Sequence, residues 1–264
     1  MENVKILRVK TGAGIVECQK ALAESNGDID KAVEILRKKG IAKAAKRDGR
    51  EACEGLILVD INKAGDEGYI LEVNSETDFV ARNEKFNKFA QNVFSLIKNN
   101  KPVNLDELMN LKFENVTIKE NLASLSGTIG EKLKINRFII LSGLTVAAYS
   151  HLGGRIGVLV SLSRAGEVEL AYNIAMQVAA ANPKCIKPED IPAEELAKEK
   201  EIYREQLLKE GKPENIVDKV IAGKLNKFYE EICLIEQEYI KDEEKKVKDI
   251  LGDVEVKEFI RYSL

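Results

Sequence analysis

Tryptophan is absent from this 264-residue chain, and histidine occurs once, at His151. The side chain most often used for acid–base work near neutral pH is therefore scarce. No GxxxxGK[ST], GxSxG, HExxH or EF-hand loop occurs. No constellation of acid, base and nucleophile suggests a small-molecule enzyme. The four cysteines, Cys18, Cys53, Cys185 and Cys233, lie far apart and form no CxxC. Disulfide and zinc frameworks need clustered spacing, so buried thiols packing as small hydrophobes are expected. Neither a metal nor a cofactor is expected. No apolar run approaches the roughly 18 residues that span a bilayer. Met1-Glu2-Asn3-Val4-Lys5 lacks the apolar core of a signal peptide, so a cytoplasmic protein with no membrane partner is expected. The net charge of −3 lacks the basic excess of a general nucleic-acid binder.

What is present is a set of periodic segments. Apolar residues make up 44% of the chain, enough for a real core, and charged residues reach 32% with balanced signs, which suits paired surface charges. Residues 1–40 read as three short helices. Val4 and Leu7 share a face of the first. Thr11-Gly12-Ala13-Gly14 is a turn in which Thr11 caps the second. Ile15, Cys18 and Leu22 then fall on one face. Asp28 caps the third helix, which carries Ile29, Val33 and Leu36 and closes at Gly40. Such a bundle buries little alone and reads as an attached recognition module. Lys43, Lys46, Arg47 and Arg50 follow as a basic bridge, either a solvated linker or an RNA contact.

From Gly55 the period changes. Residues 56–61 and 69–73 form a β-hairpin. Phe86, Phe89, Ala90, Val93, Phe94 and Ile97 mark the clearest amphipathic helix in the chain. A short helix after Pro102 and a longer one over about 114–132 precede a strand at 137–144, continued by 145–149. Residues 149–154 form a turn, 155–162 a strand, and Leu170, Ala171, Ile174, Ala175 and Val178 a helix that stops at Asn182-Pro183. The repeated order of strand, turn and helix implies two related α+β lobes. Residues 194–230 read as an antiparallel helical hairpin broken at Gly211-Lys212-Pro213. Its stripes are Leu196, Tyr203 and Leu207 against Ile216, Val220 and Leu225. Residues 232–240 could pair with a sheet, 242–251 form a helix, and 254–263 a closing strand. The expected fold class is α+β, with an N-terminal helical module and linker at 1–53 and core subdomains at 54–140 and 141–264.

One corner departs from the usual chemistry. Thr77-Asp78-Phe79-Val80-Ala81-Arg82-Asn83 joins the strand ending at residue 74 to the amphipathic helix. Chains usually pass such corners through polar, capping residues. Here a large ring sits beside a carboxylate. Phe79 precedes Phe86 by seven residues, so an early helix start puts it on the buried stripe. The other reading is a wedge held out for another protein. Periodicity alone favours burial, with Asp78 a charge suited to a helix N-terminus. His151, in a Gly-rich turn with no nucleophile pattern nearby, is a surface residue or a partner contact. Gly153-Gly154 leads into a strand, whereas a dinucleotide fingerprint opens a helix.

Three segments, in this order, resemble the bacterial elongation factor Ts family: Leu7-Arg8 with TGAGIVECQKAL and NGDIDKAVEILRKKG, then ILEVNSETDFVARN, then HLGGRIGVLV. The resemblance implies an N-terminal module similar to ubiquitin-associated domains and two α+β core subdomains, the second bearing a coiled-coil hairpin. It implies a translation factor that binds elongation factor Tu and promotes GDP release without covalent catalysis or nucleotide binding of its own. It also moves Phe79 to the surface. By resemblance, Thr77, Asp78, Phe79 and Val80 enter Tu's nucleotide domain and disturb its magnesium and phosphate sites. Arg8, Ile15 and Val16 match a surface that meets the same domain, and Ile129, Gly130 and His151 match further contacts. The family often has methionine where Ile15 and Val16 stand, so this contact keeps its apolarity but is stiffer. The alternative expectation is a ribosome- or RNA-associated adaptor working through the N-terminal bundle and the basic bridge.

Overall fold

A computed structural model describes residues 2–47, 49–113 and 115–264. Helices α1 (Glu2–Thr11), α2 (Ile15–Glu24) and α3 (Ile29–Ala45) close around Leu7, Cys18, Ala21, Leu22 and Ala32. Asp28 caps α3 as expected, its carboxylate accepting from the N–H groups of Asp30 and Lys31. Thr11 does not cap α2. Helix α1 runs through it, its hydroxyl donates to the Leu7 carbonyl at 2.7 Å, and Gly14 takes the cap position without a side-chain bond. Ile15 does not share the buried face of Cys18 and Leu22, and is exposed instead.

Strands β1 (Glu54–Ile61) and β2 (Glu67–Ser75) form the expected hairpin. The Asn62 side-chain carbonyl accepts from the N–H groups of Gly65, Asp66 and Glu67 and so shapes its turn. Then come α4 (Asp78–Ala81), α5 (Glu84–Asn100), α6 (Leu105–Asn110), the ribbon β3 (Lys112–Phe113) and β4 (Val116–Thr117), α7 (Ile118–Ile129) and β5 (Leu133–Ser142). The helix expected from residue 114 begins at Ile118, behind a capping box between Thr117 and Glu120; Glu114 lies outside the described residues. Strand β5 adds antiparallel to β2, giving the order β1-β2-β5. Phe86, Phe89, Ala90, Val93 and Ile97 of α5 join Ile118 and Leu122 of α7 against Tyr69, Leu71 and Val73 of β2. The predicted stripe is thus the first core. Fully burying each such side chain contributes about 1.5–3 kcal/mol.

The strand expected over 137–149 is in fact two. Strand β6 (Thr145–His151) leaves the first sheet and pairs with β7 (Ile156–Leu162) in a second. The chain turns at Gly143, where a Cβ would stand 1.9 Å from Ser161 Oγ and 3.1 Å from Ser161 Cβ, so a larger residue would require the Ser161 hydroxyl to turn away. Next come α8 (Val168–Ala181), α9 (Ala193–Lys209), α10 (Glu214–Ile232), the ribbon β8 (Glu238–Tyr239) and β9 (Asp242–Lys246), α11 (Val247–Leu251) and β10 (Val256–Ser263). Strand β10 pairs with β7, so the second sheet runs β10-β7-β6. Each half is therefore a hairpin, a helix, and a later strand laid beside the hairpin's second strand.

The sheets pack face to face through Ile57, Ile70 and Leu141 against Val146, Leu159 and Tyr262. Helix α8 covers the outer face of the second sheet with Ala171, Ile174, Ala175 and Val178. Close approach between the sheets depends on Gly157, where a Cβ would lie 2.4 Å from Ile57 Cγ2.

Helices α9 and α10 form the expected hairpin, but its seam is Leu207 with Val217, Ile221 and Leu225. Leu196, Tyr203 and Val220 pack against that seam as expected, whereas Ile216 faces outward and Val217 is buried in its stead. Residues 242–251 divide into β9 and α11 because 242–246 pair with β8. The cysteine expectation needs correcting too. Cys18 and Cys233 are buried, but Cys53 is exposed and Cys185 half-buried. Cys185 Sγ lies 3.5 Å from Cys233 Sγ at the base of the hairpin. Desolvation pushes both thiols up, Cys233 to about 12.

Gly40 does not end α3; the helix passes through it to Ala45. Its purpose is a crossing with α7, where a Cβ on Gly127 would stand 2.5 Å from Gly40 Cα. Two hydrogen atoms let the backbones meet. Arg37 pairs with Glu120 at 2.6 Å and Arg47 donates to the Ser126 carbonyl at 3.1 Å, so the N-terminal helices are seated on the first half. No described helix is long and apolar enough to cross a membrane.

Candidate functional site

The corner after β2 is built around Thr77. Its hydroxyl oxygen accepts from the Val80 N–H at 3.4 Å and caps α4. The same hydroxyl donates to Glu131 Oε1 at 2.7 Å, and the Thr77 N–H donates to Glu131 Oε2 at 3.1 Å. Ser75 Oγ donates to the Thr77 carbonyl at 2.9 Å. Glu76 accepts from the Lys132 N–H at 2.5 Å and from Arg50 at 3.2 Å. The Lys132 N–H, and after it the Arg50 guanidinium, hold the Glu76 carboxyl below the usual carboxylate range. A short loop that would otherwise fray is thus tied to the end of α7 and the start of β5.

Successive residues of a helix point about 100° apart. In α4 that puts Val80 into the first core and leaves Phe79 80% exposed. The buried reading of Phe79 fails because α4 and α5 are not one helix. Asn83 accepts from the Lys85 N–H at 2.9 Å and starts α5 afresh, so the spacing from Phe79 to Phe86 does not run along one stripe. Asp78 pairs with Arg82 at 3.1 Å. It also feels Arg155, whose guanidinium is raised first by Glu54 at 2.6 Å and to a lesser degree by Asp78.

The other residues singled out in the sequence lie on different elements, the helices α1 and α2, the end of α7 and the end of β6. Gly130 ends α7 with φ +94° and is exposed; that turn delivers Glu131 to Thr77, and Ile129 beside it is half-buried. Arg8 is exposed on α1, and Ile15 and Val16 are exposed on the first turn of α2. The turn between those helices lies against the first half, since a Cβ on Gly12 would stand 3.2 Å from Thr128 Cγ2. His151 is exposed at the end of β6. The hairpin it ends is bound to the first sheet by the Ile57 N–H, which donates to the Gly154 carbonyl at 2.8 Å. Val80 differs from the rest: its side chain anchors the tip from within.

Val9 is 87% exposed beside Arg8, off the Val4–Leu7 face. Sequence reasoning missed Glu131 and Arg155. Glu131 is 54 residues from Thr77, and no local pattern joins them. Three cations of the basic bridge pair at the surface, Lys43 with Glu17, Arg47 with the Ser126 carbonyl and Arg50 with Glu76. Among the described residues no group of three or more potential ligands stands ready for a metal.

The corner therefore presents an exposed aromatic ring on a turn braced by a remote carboxylate. The family model described as elongation factor TS matches residues 76–264, from the residue before Thr77 to the last strand. The chain belongs to the elongation factor TS family, and its role is that of a translation elongation factor.

Proposed function

We propose that this protein binds elongation factor Tu in its GDP form and promotes release of the nucleotide. The observation that carries the reading is Phe79, 80% exposed on a turn braced by Glu131, within the family match. An exchange factor needs no covalent step. It needs to favour a partner state that holds nucleotide poorly. By linkage, whatever factor this chain takes from nucleotide affinity, nucleotide takes from the affinity for this chain. Perturbing a magnesium–phosphate clamp by about 3 kcal/mol lowers affinity by roughly 100-fold.

The two tip residues divide that work. Burying the Phe79 ring in the partner supplies about 1.5–3 kcal/mol and sets the position. Asp78, beside it, competes for polar groups that otherwise serve the phosphates. Arg8, Ile15 and Val16 extend the docking surface along the N-terminal helices, and Ile129, Gly130 and His151 extend it along the core. Replacing Asp78 and Phe79 together by alanine and following release of labelled GDP from Tu tests the reading. Release is expected to fall to near the unassisted rate with the fold intact. An unchanged rate in a folded double variant refutes the assigned role.

A further inference from the structure

The chain before and after the α9–α10 hairpin is drawn together at the hairpin's foot. Residues 184–186 follow α8, residues 232–235 close α10, and the two segments run side by side. The N–H groups of Lys184 and Cys185 donate to the Ile232 carbonyl at 2.8 and 3.2 Å. Those of Leu234 and Ile235 donate to the Cys185 and Ile186 carbonyls at 2.9 and 3.0 Å. Cys185 and Cys233 thereby pair in a parallel bridge, with their sulfurs 3.5 Å apart. Ile191, Ile232, Phe228 and Tyr229 pack around them. The other two thiols belong to other parts of the fold. Cys18 donates to the Ala13 carbonyl at 3.6 Å within the N-terminal bundle, and Cys53 is exposed just before β1.

Paired strands lie about 4.8 Å apart, within the roughly 4.4–6.8 Å over which a disulfide joins two Cα atoms. The backbone is therefore already in place, and the sulfurs need to close by only about 1.5 Å to bond. We propose that Cys185 and Cys233 form a reversible thiol–disulfide site in the folded protein, with a low-molecular-weight disulfide as oxidant, and that the bond pins the foot of the α9–α10 hairpin. Cys185 is half-buried and Cys233 buried, so Cys185 reacts first. Its thiol loses a proton and attacks one sulfur of the small disulfide, forming a mixed disulfide and expelling one small thiolate. The Cys233 thiol, deprotonated in turn, attacks Cys185 Sγ and expels the second. Two protein thiols give up two electrons, one small disulfide takes them, and the two protons leave on the two small thiols. Burial keeps both protein thiols protonated. No stabilised thiolate therefore favours the reduced state, the feature that makes a disulfide strongly oxidising. Both helices of the hairpin lie between the two cysteines, so the bond closes them into one covalent loop.

The test uses the full chain carrying Cys53→Ser, which removes the exposed thiol. The protein is equilibrated in mixtures of reduced and oxidised glutathione, both from the folded reduced state and by refolding from denaturant. Denaturation, alkylation and mass spectrometry then count the free thiols, and peptide mapping locates any bond. In mostly oxidised glutathione, both routes should give a peptide joined through residues 185 and 233, with no glutathione at either. Excess reduced glutathione should restore both thiols. Free thiols at both positions after equilibration in oxidised glutathione, or glutathione left on Cys185, overturn the proposal. A bond that forms only on refolding overturns it as a site of the folded protein.

Amide hydrogen exchange reads the pinning. Oxidation should slow exchange in α9 and in the last turns of α10 by at least about tenfold, and adding Cys185→Ser should abolish that response. Unchanged exchange in the bridged protein overturns the pinning. An equal slowing with Cys185→Ser assigns the response to another thiol and overturns it as well.

Discussion

Two strand-to-helix corners occupy equivalent places in the two halves, and they are built differently. Strand β2 enters its helix through an inserted turn, α4, which Thr77 caps and Glu131 braces from 54 residues away. Strand β7 enters α8 through 163–167, where Gly166 turns at φ +83° and Glu167 caps without a side-chain bond. There Arg164 pairs with Asp253 and Glu167, and its carbonyl accepts from the Thr145 hydroxyl at 2.6 Å. The apolar residue exposed at this second corner, Val168, is the first residue of the covering helix itself. The contrast shows how a ring is kept out of a core: an extra helical turn breaks the stripe, an inward neighbour anchors it, and a distant carboxylate fixes it.

The largest effect expected from this difference is on partner activity. Phe79→Ala should slow assisted GDP release by about 30- to 100-fold, the range for truncating a central aromatic anchor, while Val168→Ala should change it by less than about twofold. Comparable losses at both corners would break the comparison. Next is the brace. Glu131→Ala leaves the Thr77 N–H and hydroxyl without their acceptor and should slow release by about tenfold. Asp253→Ala, at an exposed ion pair, should leave release and the melting temperature unchanged within error.

A third and smaller effect concerns what each half carries. Gly127→Val should force α3 off α7, raise amide exchange in α1–α3, and slow GDP release by about fivefold through lost N-terminal contacts. Protection of α8 should not change, and a loss of it there would show that the two halves are not separable in this way.

The smallest expected effect is of pH. The Glu76 carboxyl is depressed in the fold, so it adds stability above the unfolded carboxylate value, and that stability is lost as pH falls through the lower folded value. Acidification from about pH 5 to pH 3 should therefore release Arg50 and open the linker at 47–53 to proteolysis. Cutting at the second corner under the same conditions, with the linker intact, would reverse the order proposed here.

The class of the fold and most of its elements were legible in the chain. The α5 stripe, the β1–β2 hairpin and the Asp28 cap all depend on residues within a few positions of one another, and all were read correctly. The errors share a cause. Gly40 read as a helix end because its partner, Gly127, is remote in sequence. Residues 137–149 read as one strand, and the break appears only where the Gly143 and Val146 N–H groups bond to the remote Asp66 and Gly65 carbonyls. Ile216 reads as part of the α9–α10 seam, but Val217 is buried there instead, because several apolar residues compete and the facing helix selects among them. For the candidate site, the identity of Asp78 and Phe79 was visible and their direction was not.

Spacing along the chain was therefore sufficient for an α+β protein with a helical start, a helical hairpin and an aromatic ring at an unusual corner. It was not sufficient for the outward turn of Phe79, the Thr77–Glu131 brace, the seating of α3 on α7, or the meeting of Cys185 with Cys233 across 48 residues. Helical and strand periods report on neighbours within about two turns. Braces, glycine crossings and exposed tips arise from groups that only folding brings into contact.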